Sequence, residues 1–326
     1  MTDRTTFDLV QYLRSAGVQY ESLQKLRGGT ANFVWRIIDE FGHSRIIKHA
    51  EAYIASNPGI PFPVDRMDFE YRALKTIPIH IPANEFIQLP RVFGYDADRH
   101  VLNIADGGSR TLKDAYTDLS IDISEYGHRI GAWLASLHQS TKDTAIGDSV
   151  TAKHIYRHSY RNAPAAAKRF GLDSVLAESV NLKYGNMLST DDECVCHGDF
   201  WPGNILVGDQ GLTVVDWEMV RRGSGATDVG QFAAEAYLLD RFHGNKGLLS
   251  AFLSGYKQAR DLEDDFIKRV QVHMGVHLAF WPTVVQWACH EETKNVLVMG
   301  HKMMRDATRD DWKSLLKMGA VGELCR

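Results

Sequence analysis

Two short polar loops near the middle of the chain carry the side chains best suited to chemistry. The first contains Asp199 and Asn204, and the second contains Asp216 and Glu218. Each loop follows an apolar run typical of a β-strand. Phosphoryl transfer requires a carboxylate that orients the attacking hydroxyl and oxygen ligands for the magnesium ions that bridge the phosphates. The pattern therefore predicts a phosphoryl-transfer centre, although Asp199 and Asn204 also suit a plain capped loop.

The spacing resembles the catalytic and metal-binding loops of the aminoglycoside phosphotransferase and choline kinase superfamily. In that family, the first loop has the sequence His-Gly-Asp, four further residues and Asn. The second loop has the sequence Asp-x-Asp, Asp-x-Gly or Asp-x-Glu. The matching residues are His197, Gly198, Asp199, Asn204, Asp216 and Glu218. The resemblance implies that Asp199 and Asn204 are catalytic. It implies a magnesium site formed by Asn204, Asp216 and Glu218, and a structural role at the site for His197.

A glycine-rich turn lies between two apolar runs near the N-terminus. Its residues Gly28, Gly29 and Thr30 can bring backbone N–H groups close to phosphate oxygens, since glycine leaves room for a ligand. An ordinary hairpin turn is the alternative from the residues alone. The lid of the superfamily resembles Gly-Gly, two residues and Asn, and Asn32 completes that pattern here. The resemblance implies that this turn covers the phosphates of ATP.

Three further segments are expected to bind the nucleotide. Lys48 ends the apolar run of a predicted strand, and Glu70 lies in the helical pattern 64–75. The resemblance implies that Lys48 binds the α and β phosphates and pairs with Glu70. The main chain of Asn103, Ile104 and Ala105 is expected to contact the adenine edge.

The resemblance implies an α+β, protein-kinase-like fold with two lobes. Residues 1–105 are expected to form an N-terminal nucleotide-binding lobe with an antiparallel sheet and a helix. A hinge is predicted at about 103–106, and residues 106–326 are expected to form a mostly helical catalytic and substrate-binding lobe. The proline-containing insert 51–63 is predicted to be a loop, and it resembles the corresponding segment of methylthioribose kinases.

Asp228 ends the Gly/Ser-rich segment 221–228, which is predicted to be a flexible loop. A plain helix N-cap is one interpretation of Asp228. The superfamily places an aspartate at a similar position, where it braces the catalytic loop, so the resemblance implies a structural role at the site. Both interpretations are compatible with the sequence.

The resemblance is less specific in the C-terminal part of the chain, where the superfamily selects its substrate. The resemblance to aminoglycoside kinases implies carboxylates that meet substrate amines, and the candidates are Asp261, Glu263, Asp264, Asp265, Glu291 and Glu292. Trp281, Trp287 and Trp312 suit an aromatic box for a quaternary ammonium. A helix is predicted over 264–286. The apolar helical pattern that Trp281 and Trp287 share with Leu278, Val284 and Val285 favours core packing instead.

Composition excludes several classes of protein. The chain has 326 residues, a formal net charge of -4 and no long run of one sign, so it lacks the basic stripe of a nucleic-acid-binding protein. No run approaches the length of a membrane span, and a cytoplasmic location is expected. Four cysteines are too few for a disulfide scaffold. Cys194 and Cys196 are predicted to face opposite sides of their strand, which argues against a zinc site.

These observations together predict an enzyme that uses ATP and Mg²⁺ to phosphorylate a hydroxyl of a small molecule, of the aminoglycoside, sugar or amino-alcohol class. It is expected to act as a monomer or homodimer. A methylthioribose- or choline-type kinase is an alternative. A catalytically silent pseudokinase that only binds nucleotide or metabolite is the other, and the intact Lys48, Asp199 and Asp216 argue against it.

Overall fold

The computed structural model describes residues 7–26, 29–209, 211–309, 311–317 and 319–325. These residues form two compact units. One contains the described residues up to Asp68 together with Pro90–Asp106, and the other contains Phe69–Leu89 together with the described residues from Gly107 onward. The lobe boundaries and the hinge at about 103–106 stay predictions.

The strands and helices follow one another along the chain with short connections. The strands are β1 (Ser22–Lys25), β2 (Phe33–Ile38), β3 (Ser44–His49), β4 (Tyr53–Ile54), β5 (Asn57–Pro61), β6 (Ile87–Gln88), β7 (Val92–Asp96), β8 (Val101–Ala105), β9 (Arg110–Thr111), β10 (Cys194–Cys196), β11 (Ile205–Gly208), β12 (Gly211–Val214) and β13 (Arg221–Gly223). The α-helices are α1 (Leu9–Ser15), α2 (Arg66–His80), α3 (Leu112–Ala115), α4 (Ile123–Ser140), α5 (Val150–Tyr156), α6 (His158–Arg169), α7 (Ser174–Val180), α8 (Ala226–His243), α9 (Leu248–Ala259), α10 (Asp264–Phe280), α11 (His290–Ala307) and α12 (Trp312–Lys317).

The first unit is built on an antiparallel sheet in the order β1-β2-β3-β8-β7. One face of this sheet is apolar because alternate residues of each strand point to the same side. Leu13 of α1 packs there against Trp35, Ile37 and Ile47. The predicted antiparallel N-terminal sheet is confirmed.

The insert 51–63 is not the predicted loop, because β4 and β5 pair as a hairpin within it. Its prolines are compatible with a short two-stranded ribbon, whose outer edges need no partner for a missing N–H. Arg66, at the start of α2, then joins this hairpin to the glycine-rich turn. Its buried guanidinium donates to Asn32 Oδ1 and to the carbonyl oxygens of Ala31, Glu51, Phe62 and Pro63.

The second unit is mostly helical, as predicted. Helices α4 and α9 pack so closely that glycines are required where they cross. A Cβ atom on Gly131 would lie 2.1 Å from the carbonyl oxygen of Phe252, and one on Gly255 would lie 2.1 Å from that of His128. This unit also holds a sheet in the order β6-β12-β11-β9 and the antiparallel pair β10 and β13. Among the described residues, no helix has the length and apolar character to cross a membrane.

The helix predicted over 264–286 ends early. α10 stops at Phe280, and a single 3-10 turn over Trp281–Thr283 follows it. Pro282 favours the stop, since a proline lacks the N–H that would continue the helical hydrogen bonds and disfavours a helical conformation of the residue before it. Val284 and Val285 are 62% and 46% exposed. The prediction of core packing is therefore wrong for this segment, and Trp281 and Trp287 are only half-buried.

We expect Arg66→Lys to destabilise the first unit. A lysine keeps the charge but loses the planar fork that reaches several carbonyl oxygens at once. Losing these charged hydrogen bonds should lower the free energy of unfolding by about 2 kcal/mol, measured by chemical denaturation. Arg129→Lys is the matched control, because Arg129 forms an exposed ion pair with Glu125 one turn away. Equal stability of the two variants would contradict this assignment.

Candidate active site

The loop after β10 depends on a glycine that no other residue can replace. Gly198 has a φ of 87°, in the left-handed region, and a Cβ atom there would lie 1.9 Å from the carbonyl oxygen of Met219. Such a distance is far inside van der Waals contact, so the backbone can turn at this point only with glycine. The turn directs Asp199 away from β10.

The carboxylate of Asp228 binds the backbone of this loop through hydrogen bonds. α8 begins at Ala226, so Asp228 lies in its first turn and is not the N-cap; Gly225 occupies that position. Its side chain is fully buried, and its Oδ2 and Oδ1 atoms accept hydrogen bonds from the backbone N–H groups of His197 at 2.7 Å and Gly198 at 3.1 Å. The carboxylate therefore fixes both residues before Asp199.

A second buried side chain, that of His138, stabilises the negative charge of Asp228. His138 Nε2 lies 3.4 Å from Asp228 Oδ2, and His138 Nδ1 lies 2.9 Å from the hydroxyl of Tyr256. Burial raises the pKa of Asp228, but the hydrogen bond from His138 and nearby positive charges outweigh it, and the net pKa is lowered. Burial likewise lowers the pKa of His138, yet neighbouring negative groups leave it raised. Both shifts favour an ion pair.

His197 joins the catalytic loop to the segment that leads to Asp216. Its Nδ1 atom accepts from the backbone N–H of Asp199 at 3.2 Å, and its Nε2 atom lies 3.0 Å from the carbonyl oxygen of Val215. This pattern requires a neutral imidazole with the proton on Nε2. Burial lowers the pKa of His197 in agreement with that form. The two polar loops are therefore held together through this ring.

Asp199 is oriented by two amide side chains. Gln231 Nε2 donates to its Oδ1 at 2.6 Å, and Asn204 Nδ2 donates to its Oδ2 at 3.0 Å and to its backbone carbonyl at 2.9 Å. Burial, followed by the charge of Asp216, raises the pKa of Asp199. The carboxylate is thus fixed in direction, and a positive charge beside it would relieve its repulsion with Asp216.

The predicted metal ligands form a set of hard oxygen donors. Asn204 uses its amide nitrogen on Asp199, which leaves its oxygen without a hydrogen bond among the described residues. Asp216 has a φ of 67° and a ψ of 57°, a left-handed conformation that places its side chain at the start of a short turn. Glu218 lies in that turn and is buried. Amide and carboxylate oxygens are the ligands that Mg²⁺ prefers, so these residues fit the ion.

The glycine-rich turn of the first unit is described only in part. Gly28 lies outside the described residues, while Gly29 and Thr30 are exposed between β1 and β2. Asn32 is buried, and its Oδ1 accepts the hydrogen bond from Arg66 Nε at 3.0 Å. The side chain of Asn32 therefore fixes the turn from within the unit.

The other predicted nucleotide-binding residues lie in β3, α2 and β8. Lys48 and Glu70 are 6% and 1% exposed, and charged groups so deeply buried are rare without a partner. Their pairing stays a prediction. Asn103, Ile104 and Ala105 form the end of β8, and the N–H of Ala105 donates to the carbonyl oxygen of Arg91 at 2.8 Å. That N–H is not available to adenine.

Two features near the catalytic loop were not predicted correctly. The segment 221–228 is not a flexible loop, because β13 pairs with β10 and Arg221 is buried beneath it. Cys194 and Cys196 do not face opposite sides of their strand. Residues two apart on a strand share a face, and the ligand atoms of both cysteines and His138 lie within 4.8 Å of one another.

The acidic residues proposed for substrate amines lie away from the protein interior. Asp261, Glu263, Asp264 and Asp265 are exposed around the start of α10. A buried carboxylate in this unit, Glu235 of α8, was missed. Gln231 was missed as well, and the only sequence signal for either is the spacing of one and two helical turns after Asp228.

The chain belongs to the phosphotransferase enzyme family, whose model matches residues 22–265. It is similar to the 4-hydroxytryptamine kinase of Psilocybe cubensis, with 25% identity over 93% of each chain. Among solved structures, it resembles an amicoumacin kinase bound to AMP-PNP, Ca²⁺ and Ami, with a TM-score of 0.59 and 14% identity over 93% of this chain and 94% of that one.

A choline/ethanolamine kinase family protein from Mesorhizobium loti is also similar in structure, with a TM-score of 0.54 and 13% identity over 94% of this chain and 92% of that one. The likeness to the solved structures confirms the protein-kinase-like fold. The family match, together with the kinases of similar sequence, identifies this protein as a small-molecule kinase.

We expect Asp228→Asn to damage both the loop and the reaction. An asparagine side chain has one acceptor oxygen, so one of the two backbone N–H groups would face an NH₂ group. The unsatisfied donor should lower the free energy of unfolding by about 2 kcal/mol, and the displaced loop should lower kcat by about 100-fold. Chemical denaturation and steady-state kinetics measure the two effects.

Asp173→Asn is the matched control for this variant. Asp173 caps α7 with one oxygen that accepts from Val175 and Leu176, and asparagine caps helices equally well. An unchanged kcat in Asp228→Asn would show that the loop does not depend on this carboxylate.

Proposed function

We propose that this kinase transfers the γ-phosphoryl group of ATP to a hydroxyl of a small molecule, with Mg²⁺ bound beside the transferred group. The observation that carries the proposal is the fixed orientation of Asp199 between Gln231 and Asn204. A carboxylate held from both sides is suited to position one hydroxyl for attack. The oxygen donors of Asn204 and Asp216 lie in the two adjoining loops.

Asp199 has the direct role in this proposal. Its carboxylate accepts a hydrogen bond from the attacking hydroxyl and takes up the proton as the new O–P bond forms and the bond to ADP breaks. The raised pKa of Asp199, caused first by burial, makes it a stronger base than an exposed aspartate. Gln231 keeps one carboxylate oxygen in place during the reaction.

Asn204, Asp216 and Glu218 would hold Mg²⁺ through their side-chain oxygens. When bound, the ion supplies positive charge that neutralises the phosphate oxygens and weakens the bond to the leaving group. In the first unit, Lys48 would bind the α and β phosphates, and the turn at Gly29 would cover them. Adenine would be bound through main-chain groups that follow Ile104 at the end of β8, because Asn103 and Ile104 pair with β3 and β7.

The acceptor is best sought among hydroxylated amines. The relative from Psilocybe cubensis is named for 4-hydroxytryptamine, a phenol that carries an amine. The aminoglycoside, sugar and amino-alcohol acceptors expected from the sequence remain the wider class. The four cysteines are all free, which supports our proposal of a cytoplasmic location.

Asp199→Asn should reduce turnover by about 1,000-fold, because an amide cannot take up the proton of the hydroxyl. Affinity for MgATP should change little. The assay is ADP release with MgATP and 4-hydroxytryptamine, and isothermal titration gives the affinity. Asp209→Asn, in the exposed turn between β11 and β12, is the control. Full activity in Asp199→Asn would refute the role of this carboxylate as the base.

The acid side of the pH profile should reflect the raised pKa of Asp199. A protonated carboxylic acid cannot accept the proton. We therefore expect kcat/KM to be high above this pKa and to decrease as the pH falls through it. Because burial raises the pKa of Asp199, the loss should begin above the ordinary aspartate value of about 3.9. A profile that stays flat down to that value would contradict the proposal.

A further inference from the structure

A series of side-chain contacts in the second unit begins at Asp199 and ends in the loop that contains it. Gln231 of α8 contacts Asp199, and the same helix continues to Phe242, whose ring centroid lies 6.5 Å from that of Trp287. Trp287 belongs to the segment 284–289, which follows the early end of α10. These contacts therefore lead from Asp199 along α8 to the indole ring of Trp287.

Lys113 of α3 connects Trp287 to the loop that contains Asp199. Its ammonium lies 4.5 Å from the ring centroid of Trp287 and 5.2 Å from that of Trp201, which is two residues beyond Asp199 in the catalytic loop. Among the residues that the structure describes, no carboxylate forms an ion pair with Lys113. Its charge is instead placed against two indole faces, an arrangement that cation–π attraction stabilises.

Glu235 lies on α8 one turn beyond Gln231, a rise of about 6 Å along the helix. It is 8% exposed, and its Oε1 atom lies 2.7 Å from His277 Nε2. Within the described part of the chain, no lysine or arginine pairs with it. A buried carboxylate of this kind favours a bound cation.

We propose that these residues enclose the acceptor site, and that the acceptor is an aromatic alcohol carrying a protonated amine. This inference rests on the proposed function. Glu235 binds the ammonium, and the aromatic ring packs against Trp287. The positive charge of Lys113, which lies against Trp287 and against Trp201 of the loop that contains Asp199, repels the amine. The substrate therefore enters with its amine towards Glu235. That direction presents its hydroxyl to Asp199.

The test compares 4-hydroxytryptamine with its N-acetyl derivative, which has the same ring and hydroxyl but no positive charge. Choline serves as a cation without a ring. Wild-type enzyme should prefer 4-hydroxytryptamine to both. Glu235→Gln should lower kcat/KM for 4-hydroxytryptamine by about 100-fold and leave the value for the N-acetyl derivative unchanged. A residue with only a structural role would lower both values equally.

Two further variants complete the design. Trp287→Ala should raise KM for 4-hydroxytryptamine by about tenfold through lost ring packing, and Trp287→Phe should restore most of it. Glu125→Gln is the matched control, because Glu125 is a surface carboxylate already paired with Arg129. Thermal melting checks that each variant is folded.

Isothermal titration with the acceptors alone separates this inference from the proposed function. Tighter binding of 4-hydroxytryptamine than of its N-acetyl derivative supports the acceptor site, even if Glu235→Gln fails to fold. Equal binding of the two, or a preference for choline over both, overturns the inference while transfer to any hydroxyl still supports the kinase. Absence of transfer to every acceptor instead counts against the proposed function.

Discussion

The candidate active site depends on a buried carboxylate that binds two backbone N–H groups. Asp228 accepts from His197 and Gly198, and the imidazole of His138 stabilises its charge. A buried carboxylate without such partners would be strongly destabilising, so the arrangement is fixed as a unit. It joins the start of α8 to the turn at Gly198, and this turn sets the direction of Asp199.

The rest of the site follows from that anchor. Because α8 is held at Asp228, Gln231 reaches Asp199 one turn along, and Glu235 follows at the next turn. A single helix thus supplies the brace for the loop, the amide that orients the carboxylate, and the buried acid that we assign to the acceptor. His197 adds the link to the segment before Asp216, which brings the residues that we propose as Mg²⁺ ligands beside the same loop.

The sequence was sufficient for the parts of the fold that local patterns determine. Apolar runs predicted β2, β3 and the strands that precede the two polar loops, and the spacing of Asp199 and Asn204 predicted that both belong to one loop. Contacts between distant segments were not predictable in this way. Nothing in the sequence pairs Gln231 with Asp199, or Arg66 with the carbonyl oxygens of the hairpin insert. The end of α10 was missed because its apolar spacing continues past Pro282, although the proline itself stops the helix.

We propose above all that the γ-phosphoryl group of ATP is transferred to a hydroxyl of a small molecule. Phosphorus NMR of wild-type enzyme with MgATP and 4-hydroxytryptamine follows the bond that forms. We expect a phosphomonoester resonance that grows as the γ-phosphate signal of ATP declines, in equal amounts. A decline that yields only inorganic phosphate, or no decline with any hydroxylated amine, would contradict it.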